Sequence, residues 1–271
     1  GKRWIIMYSN SHKLFLKKQT RNKFIINFFK IAIIVLFLIT WEITARLEII
    51  NPFLTSYPSM IITTVIDLFK NDNLTSHIFI TLYETIISFT LASIIGLIIA
   101  SLLWSNKTIS KIFDPYLTVL NSLPKISLGP LIIIWIGANT NSIIFMALLI
   151  SVFTTIIGMY NAFINTDNSK IILMKSFGAS KMQIFTKLVL RGNTKSLVNT
   201  LKINISLSLI GVTMGELLVS KKGLGYLITY GSQVFNLNLV ITSIFILGII
   251  SYLLYILIDL LEKRIKEQKT S

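Results

Sequence analysis

Apolar residues in this chain fall in blocks of about 20 rather than at spaced core positions, which is the pattern of segments that cross a bilayer. The first block, Phe28 to Leu47, covers roughly 30 Å as a helix, one hydrocarbon thickness. Further blocks at 78–104, 115–137, 142–163, 196–219 and 237–258 bring the predicted elements to six. Between the first two, "SYPSMIITTVIDLFKND" opens on a proline and alternates apolar with polar residues, which predicts an amphipathic helix on the outer surface. In the second block Ala92, Gly96 and Ala100 form a small-residue ridge on which another helix can pack closely.

The third block is irregular. Asp114 before Pro115 predicts an N-cap and first helical position, and Pro124 interrupts the helix so begun. The stretch Ile126 to Ile136 is too short to cross alone and contains Pro130, so 115–137 is expected to cross as a broken helix. Such backbone survives in the membrane only where protein or a water-filled path surrounds it. The first block is longer than the apolar core of a signal peptide and ends in Glu42, Arg46 and Glu48, which predicts an anchor that is retained.

The expected fold class is therefore all-α and polytopic, a single membrane domain over 28–262 between a basic tail, 1–27, and a second tail, 263–271. No internal repeat or linker divides it. The 271 residues are 53% hydrophobic and 14% charged, with mean hydropathy +0.74.

A net charge of +15 would suggest nucleic acid in a soluble protein, but its placement argues against that partner. The chain through Lys30 carries eight Lys/Arg, 104–125 three, 161–202 seven and the C-terminal tail four, whereas 48–77, 138–141 and 218–238 hold only Lys70, Lys221 and Lys222. That alternation is the positive-inside pattern and places both termini in the cytoplasm.

There is no cysteine, and the two histidines, His12 and His77, are far apart in sequence. These residues offer no metal site, and each histidine reads as polar loop filling. Nucleotide chemistry is not written here either, since G-x-x-x-x-G-K-[ST] is absent. Gly223 and Gly225 of "GLGYLI" lack the third glycine of a dinucleotide fingerprint and predict a tight outer turn. No catalytic residue is assigned. Thr213 sits in a G-x-T-x-G frame, but no strand precedes it and no base is near.

Two patterns carry the functional reading. The first is "SFGASKMQIF" in the most basic inside loop, about 170–190. Gly178 can end one short helix with positive φ, and Ser180 with Gln183 fits a capping box that starts the next. Ile184, Phe185 and Leu188 then share a side, with Met174 and Phe177 just before the turn. The product is a small knob with an apolar face, either an interfacial helix on lipid or a docking surface for a cytoplasmic subunit.

The second pattern is a polar stripe. Asn199, Lys202, Ser206, Thr213 and Glu216 share a sector about 100° wide on one helix. It reads as interhelical hydrogen bonding or as the wall of a translocation path, and an intramembrane carboxylate such as Glu216 favours the path. Gly211 and Gly215 on the same helix, like Gly96, predict close packing, possible also between two copies. Glu42 and Arg46 are expected to pair with each other, and Glu84 has no evident partner in the sequence.

"KSFGASKMQIFTKLVL", "LNSLPKISLGPLIIIWIGAN" and "GELLVSKKGLGYLI" occur in the order found in permease subunits of bacterial ABC importers. Over roughly residues 28 to 262 the chain resembles that family, in its nitrate/sulfonate/taurine-type branch. The family's EAA glutamate and alanines fall on Ile172, Leu173 and Met174, and its two later prolines on Arg191 and Lys195.

The resemblance implies the ABC importer permease fold, about six transmembrane helices with a cytoplasmic coupling helix in a bacterial cell membrane. It implies that Phe177, Gly178, Ala179, Ser180, Ile184 and Phe185 couple to ATP-binding subunits, which use the ATP and magnesium that this chain does not bind. An extracytoplasmic substrate-binding protein and a second permease copy complete the implied assembly. The implied cargo is a small anion, a sulfonate or a vitamin-precursor-like solute. An ion-gradient-driven transporter and a non-transporting scaffold are the alternatives, the first disfavoured because only Lys202 and Glu216 are ionisable in that helix, each toward an end.

Overall fold

The structure is a computed structural model that describes residues 10–71 and 73–270, with side chains over 15–71 and 73–264. Residues 1–9 of the expected basic tail, Asp72 of the amphipathic stretch and Ser271 lie outside the described residues, as does the His12 side chain. All regular structure among the described residues is helical.

By internal packing the chain forms two units, residues 1–63 and 64–271. In the first, α1 (Asn10–Arg46) is one continuous helix. It begins well before Phe28 because no glycine or proline interrupts 10–46. Its apolar side chains, Phe28, Ile33 and Leu36 among them, are exposed, as suits a surface that lipid covers. The short α2 (Pro52–Thr55) is capped by the Asn51 side chain, and the Trp41 indole donates to the Ser56 carbonyl at 3.1 Å. Glu42 and Arg46 pair as expected, at 2.6 Å. Glu42 also accepts from the Ser59 amide at 3.0 Å and its hydroxyl at 2.7 Å, which fixes the start of α3 (Pro58–Asn71).

The second unit is built on α4 (Leu74–Ser105), α7 (Thr140–Ile164) and α10 (Thr194–Val219), with α7 packed against both others. Small residues set these crossings. Ala92 and Ala100 are fully buried, and a Cβ on Gly96 would lie 2.6 Å from Thr155 Cγ2. A Cβ on Gly211 would overlap the Ala147 backbone, and one on Gly215 would stand 2.9 Å from Ile143 Cγ2. The GxxxG pair is therefore used inside the chain, on the α7–α10 contact. α12 (Leu237–Thr270) closes the unit against α10 and α11 (Leu224–Gln233).

Among the described residues five helices are long and apolar enough to cross a membrane. The third predicted element differs in detail. Its helix, α5 (Lys107–Ser122), starts seven residues before Asp114, because the Asn106 side chain accepts from the amides of Thr108 and Ile109 at 2.9 and 3.2 Å. Asp114 is thus interior and not a cap. After Pro124 come a 3₁₀ turn (Lys125–Leu128) and α6 (Gly129–Ile136), and the two halves bend by 81°. The expected break lies at Pro124, and the bent pair gives a sixth candidate span.

Candidate functional site: a hinged loop and a buried acidic pair

At one end of α10 the chain forms the expected helix–turn–helix. α8 (Asn168–Ser176) is capped by Asp167, and it stops at Gly178, which has φ +76. No atom lies within 4 Å of where a Gly178 Cβ would be, so backbone conformation alone calls for glycine there. α9 (Lys181–Ile184) starts from a capping box: the Ser180 side chain accepts from Gln183 N at 3.3 Å, and Gln183 Oε1 accepts from Ser180 N at 2.8 Å.

The chain then widens into a π-helical turn, Phe185–Leu190, in place of a regular amphipathic continuation. Widening turns Ile184 and Val189 inward against Phe163, Met159 and Ala100. The Phe185 ring sits 5.1 Å from Trp104 and 5.3 Å from Phe163, the latter edge-on. Ile184 and Phe185 are therefore anchors that fasten the loop to α4 and α7, a correction to their expected place on its outer face. Lys181 adds a bond to the Ser105 carbonyl at the end of α4.

The outer face is made by other residues. Phe177 is 81% exposed and Met182 69%, with Ile172 and Leu173 also open. Ala179 is half-buried, and Gly178 and Ser180 are exposed. Met182, on α9, is an exposed apolar residue that the capping box and the Ile184–Phe185–Leu188 spacing do not point to. Lys170, Lys175 and Lys187 of the same loop are exposed as well.

The far end of α10 carries Glu216, which is 1% exposed. One carboxylate oxygen accepts from the Thr81 hydroxyl at 2.6 Å and the other from Gly225 N at 2.6 Å. Thr81 in turn accepts from Leu224 N at 2.9 Å, so one acidic side chain ties α4, α10 and α11 together. Gly223, at φ +105, is the turn glycine, and His77 Nδ1 accepts from its amide at 3.1 Å. Gly225 is not in the turn but inside α11, and its missing Cβ leaves room for Glu216, whose own Cβ would be 2.7 Å away. His77 belongs to α4 and stacks on Tyr226, which replaces the loop role expected of it.

The polar stripe of α10 is partnered by protein at most of its positions. Lys202 Nζ lies 2.6 Å from Asp259 and 2.8 Å from Glu262 on α12. Ser206 and Thr213 return their hydroxyls to the Lys202 and Leu209 carbonyls, at 3.2 and 2.8 Å. Lys202 and Glu216 thus bond between helices instead of lining an open wall within the chain, while Asn199 is exposed and Ser206 and Thr213 keep part of their surface. Glu84 is 1% exposed, and its carboxylate lies against Thr140 and Glu216.

Among the described residues no cluster of His, Asp and Glu could hold a metal ion. What the arrangement offers is mechanical: an exposed hinged patch at one end, and a helix about 39 Å long leading to a polar junction at the other.

Comparison with known proteins accords with this geometry. Residues 92–267 match the sequence model of a family described as "Binding-protein-dependent transport system inner membrane component". The chain is 29% identical to the formylaminopyrimidine transport permease protein of Halalkalibacterium halodurans, over 83% of this chain and 89% of that one. It is 31% identical to a probable ABC transporter permease protein of Haemophilus influenzae, over 69% and 77%. Among solved structures, an inward-facing MetNI methionine ABC transporter aligns with TM-score 0.63 at 21% identity, covering 70% of this chain and 95% of that one.

Proposed function

The chain belongs to the family of binding-protein-dependent transport system inner-membrane components, a multi-pass transport permease and not an enzyme, and from that premise we propose how it works. Two copies flank a translocation path, and both termini lie in the cytoplasm with the membrane domain, 28–262, between them. Separate ATP-binding subunits, which use ATP and magnesium, dock on the 170–190 loop. A binding protein delivers solute from the other side. The cargo is a small solute of the vitamin-precursor or sulfonate kind, in keeping with the relative named for formylaminopyrimidine transport.

The observation that carries this reading is the pairing of opposite surfaces on one loop. Phe177 and Met182 are exposed, while Ile184 and Phe185 are locked onto α4 and α7. A soluble motor can bias a membrane equilibrium only through contacts that differ between its two states. Contact at the exposed face would reach the spans through a rigid aromatic anchor instead of being lost in a flexible loop. Of the stripe residues, Asn199, Ser206 and Thr213 retain access to a path; Lys202 and Glu216 hold the wall together.

Reconstitution tests this. Vesicles holding the permease with its ATPase and binding protein should take up solute only with ATP, and the permease alone should not. Concentration of a solute by the isolated chain, against its gradient, would return the reading to a secondary transporter.

A further inference from the structure

At the end of the bundle that carries the hinged loop, a groove of about 490 Å³ opens between α4, α5, α7 and α8. It stands where two spans stop, since α4 ends at Ser105 and α7 at Ile164, so it lies level with one face of the bilayer. Its rim carries Lys107 and Lys111, both exposed and one helical turn apart on α5. Among the described residues neither lysine forms an ion pair, and no carboxylate lines the groove. Asp167, the neighbour of Thr166 at its edge, is turned to the Ser169 amide as the cap of α8. Like charges at this spacing repel each other, and at a helix start they oppose its dipole. Further in, the Ser110 and Tyr160 hydroxyls are hydrogen-bonded to each other. That bond uses one of their two O–H donors, and the second has no acceptor among the described residues. Ser110 is 8% exposed, so the pair belongs to the inner wall.

We propose that this groove holds the headgroup of an anionic phospholipid, with its phosphate between Lys107 and Lys111 and accepting from the spare hydroxyl, and its acyl chains leaving over Ile164 and Ile171. A phosphodiester offers negative charge and acceptor oxygens, which two cations and one donor complement. A free phosphate would leave the apolar side of the groove uncovered, where Ile164 is 51% exposed. A zwitterionic lipid would bring its own ammonium group towards two lysines. Trp104 and Phe163 also border the groove, and they are the rings against which Phe185 packs. A seated lipid therefore shares a wall with the anchor of the hinged loop and braces it. The site depends only on α4 and α7 being spans, whereas its use in transport rests on the coupling role proposed for the 170–190 loop.

The test places the purified permease in nanodiscs of equal phosphatidylglycerol and phosphatidylcholine and counts the lipid it retains by native mass spectrometry. Phosphatidylglycerol should be retained about tenfold over phosphatidylcholine. In Lys107→Gln/Lys111→Gln, changed only at exposed positions, the preference should fall to about twofold or less, whereas Lys17→Gln/Lys18→Gln, equally exposed on α1, should keep it. Trp104 emission, isolated by difference from Trp104→Phe, locates the lipid: brominated phosphatidylglycerol should quench it at about a tenth of the mole fraction that brominated phosphatidylcholine needs. Amide exchange over 181–190 should slow with phosphatidylglycerol in the parent and not in the α5 double variant. Equal retention of the two lipids, loss of the preference in the α1 variant but not in the α5 one, or displacement of the retained lipid by inorganic phosphate would overturn the proposal. Selective retention with unchanged exchange would overturn the brace and uphold the site. Failure of ATP-driven uptake with both lipid results intact would count against the proposed function and leave the site standing.

Discussion

The Thr81 hydroxyl donates to Glu216 at 2.6 Å across 135 positions of chain. Both groups are buried, and the same carboxylate receives Gly225 N from the start of α11. Removing the acceptor leaves two buried donors without a partner. Glu216→Ala should cost about 3 kcal/mol of stability and Glu216→Gln less, since the amide keeps one acceptor oxygen. Thermal unfolding in lipid nanodiscs measures this, and equal melting of Glu216→Ala and the parent would deny Glu216 its tying role.

Helix proximity at α7–α10 rests on Gly211, where any Cβ overlaps the Ala147 backbone. Gly211→Val should destabilise by roughly 1–3 kcal/mol, as overpacking does. Gly248 on α12 has no neighbour within 4 Å, so Gly248→Val is the matched control and should be close to neutral. Reversible unfolding in mixed micelles compares the two.

The hinged loop separates docking from anchoring. Phe177→Asp should abolish ATP-driven uptake while yield and melting stay as in the parent, because Phe177 touches little of its own chain. Phe185→Asp should instead lower the yield of folded protein, since a carboxylate there would be set among Trp104 and Phe163. Reversed results for the two would relocate the docking face.

Gly178→Pro should also stop uptake without preventing insertion. Proline cannot adopt the φ of +76 found there, and the α8–α9 angle would change. Uptake assays beside a membrane-fraction blot decide it, and normal uptake would remove the hinge from the mechanism.

Lys202 bonds both Asp259 and Glu262 between α10 and α12. Lys202→Met should lower the melting temperature by leaving like charges side by side. Adding Asp259→Asn and Glu262→Gln to it should restore most of the loss, if the effect is electrostatic. A loss unchanged in the triple variant would assign it to packing of the lysine stem over Tyr255, which the ammonium faces at 5.2 Å.

By itself the chain determined whatever depends on neighbours a few residues apart. Apolar block length set the spans, Pro124 placed the break, and Gly178 with the Ser180–Gln183 box set the turn, because helix propagation, proline exclusion and capping act within one or two turns. What only the tertiary structure decided is which side of each element meets protein. The stripe on α10 has the predicted periodicity, yet whether Lys202 faces water or Asp259 depends on α12, 57 positions further on. Ile184 and Phe185 read as a free apolar face until the π-turn and the ends of α4 and α7 claim them. Glu84 and Glu216 become neighbours only because Gly96, Gly211 and Gly215 let three helices close to backbone contact. Burial and pairing are properties of the assembled bundle, and spacing along one helix does not contain them.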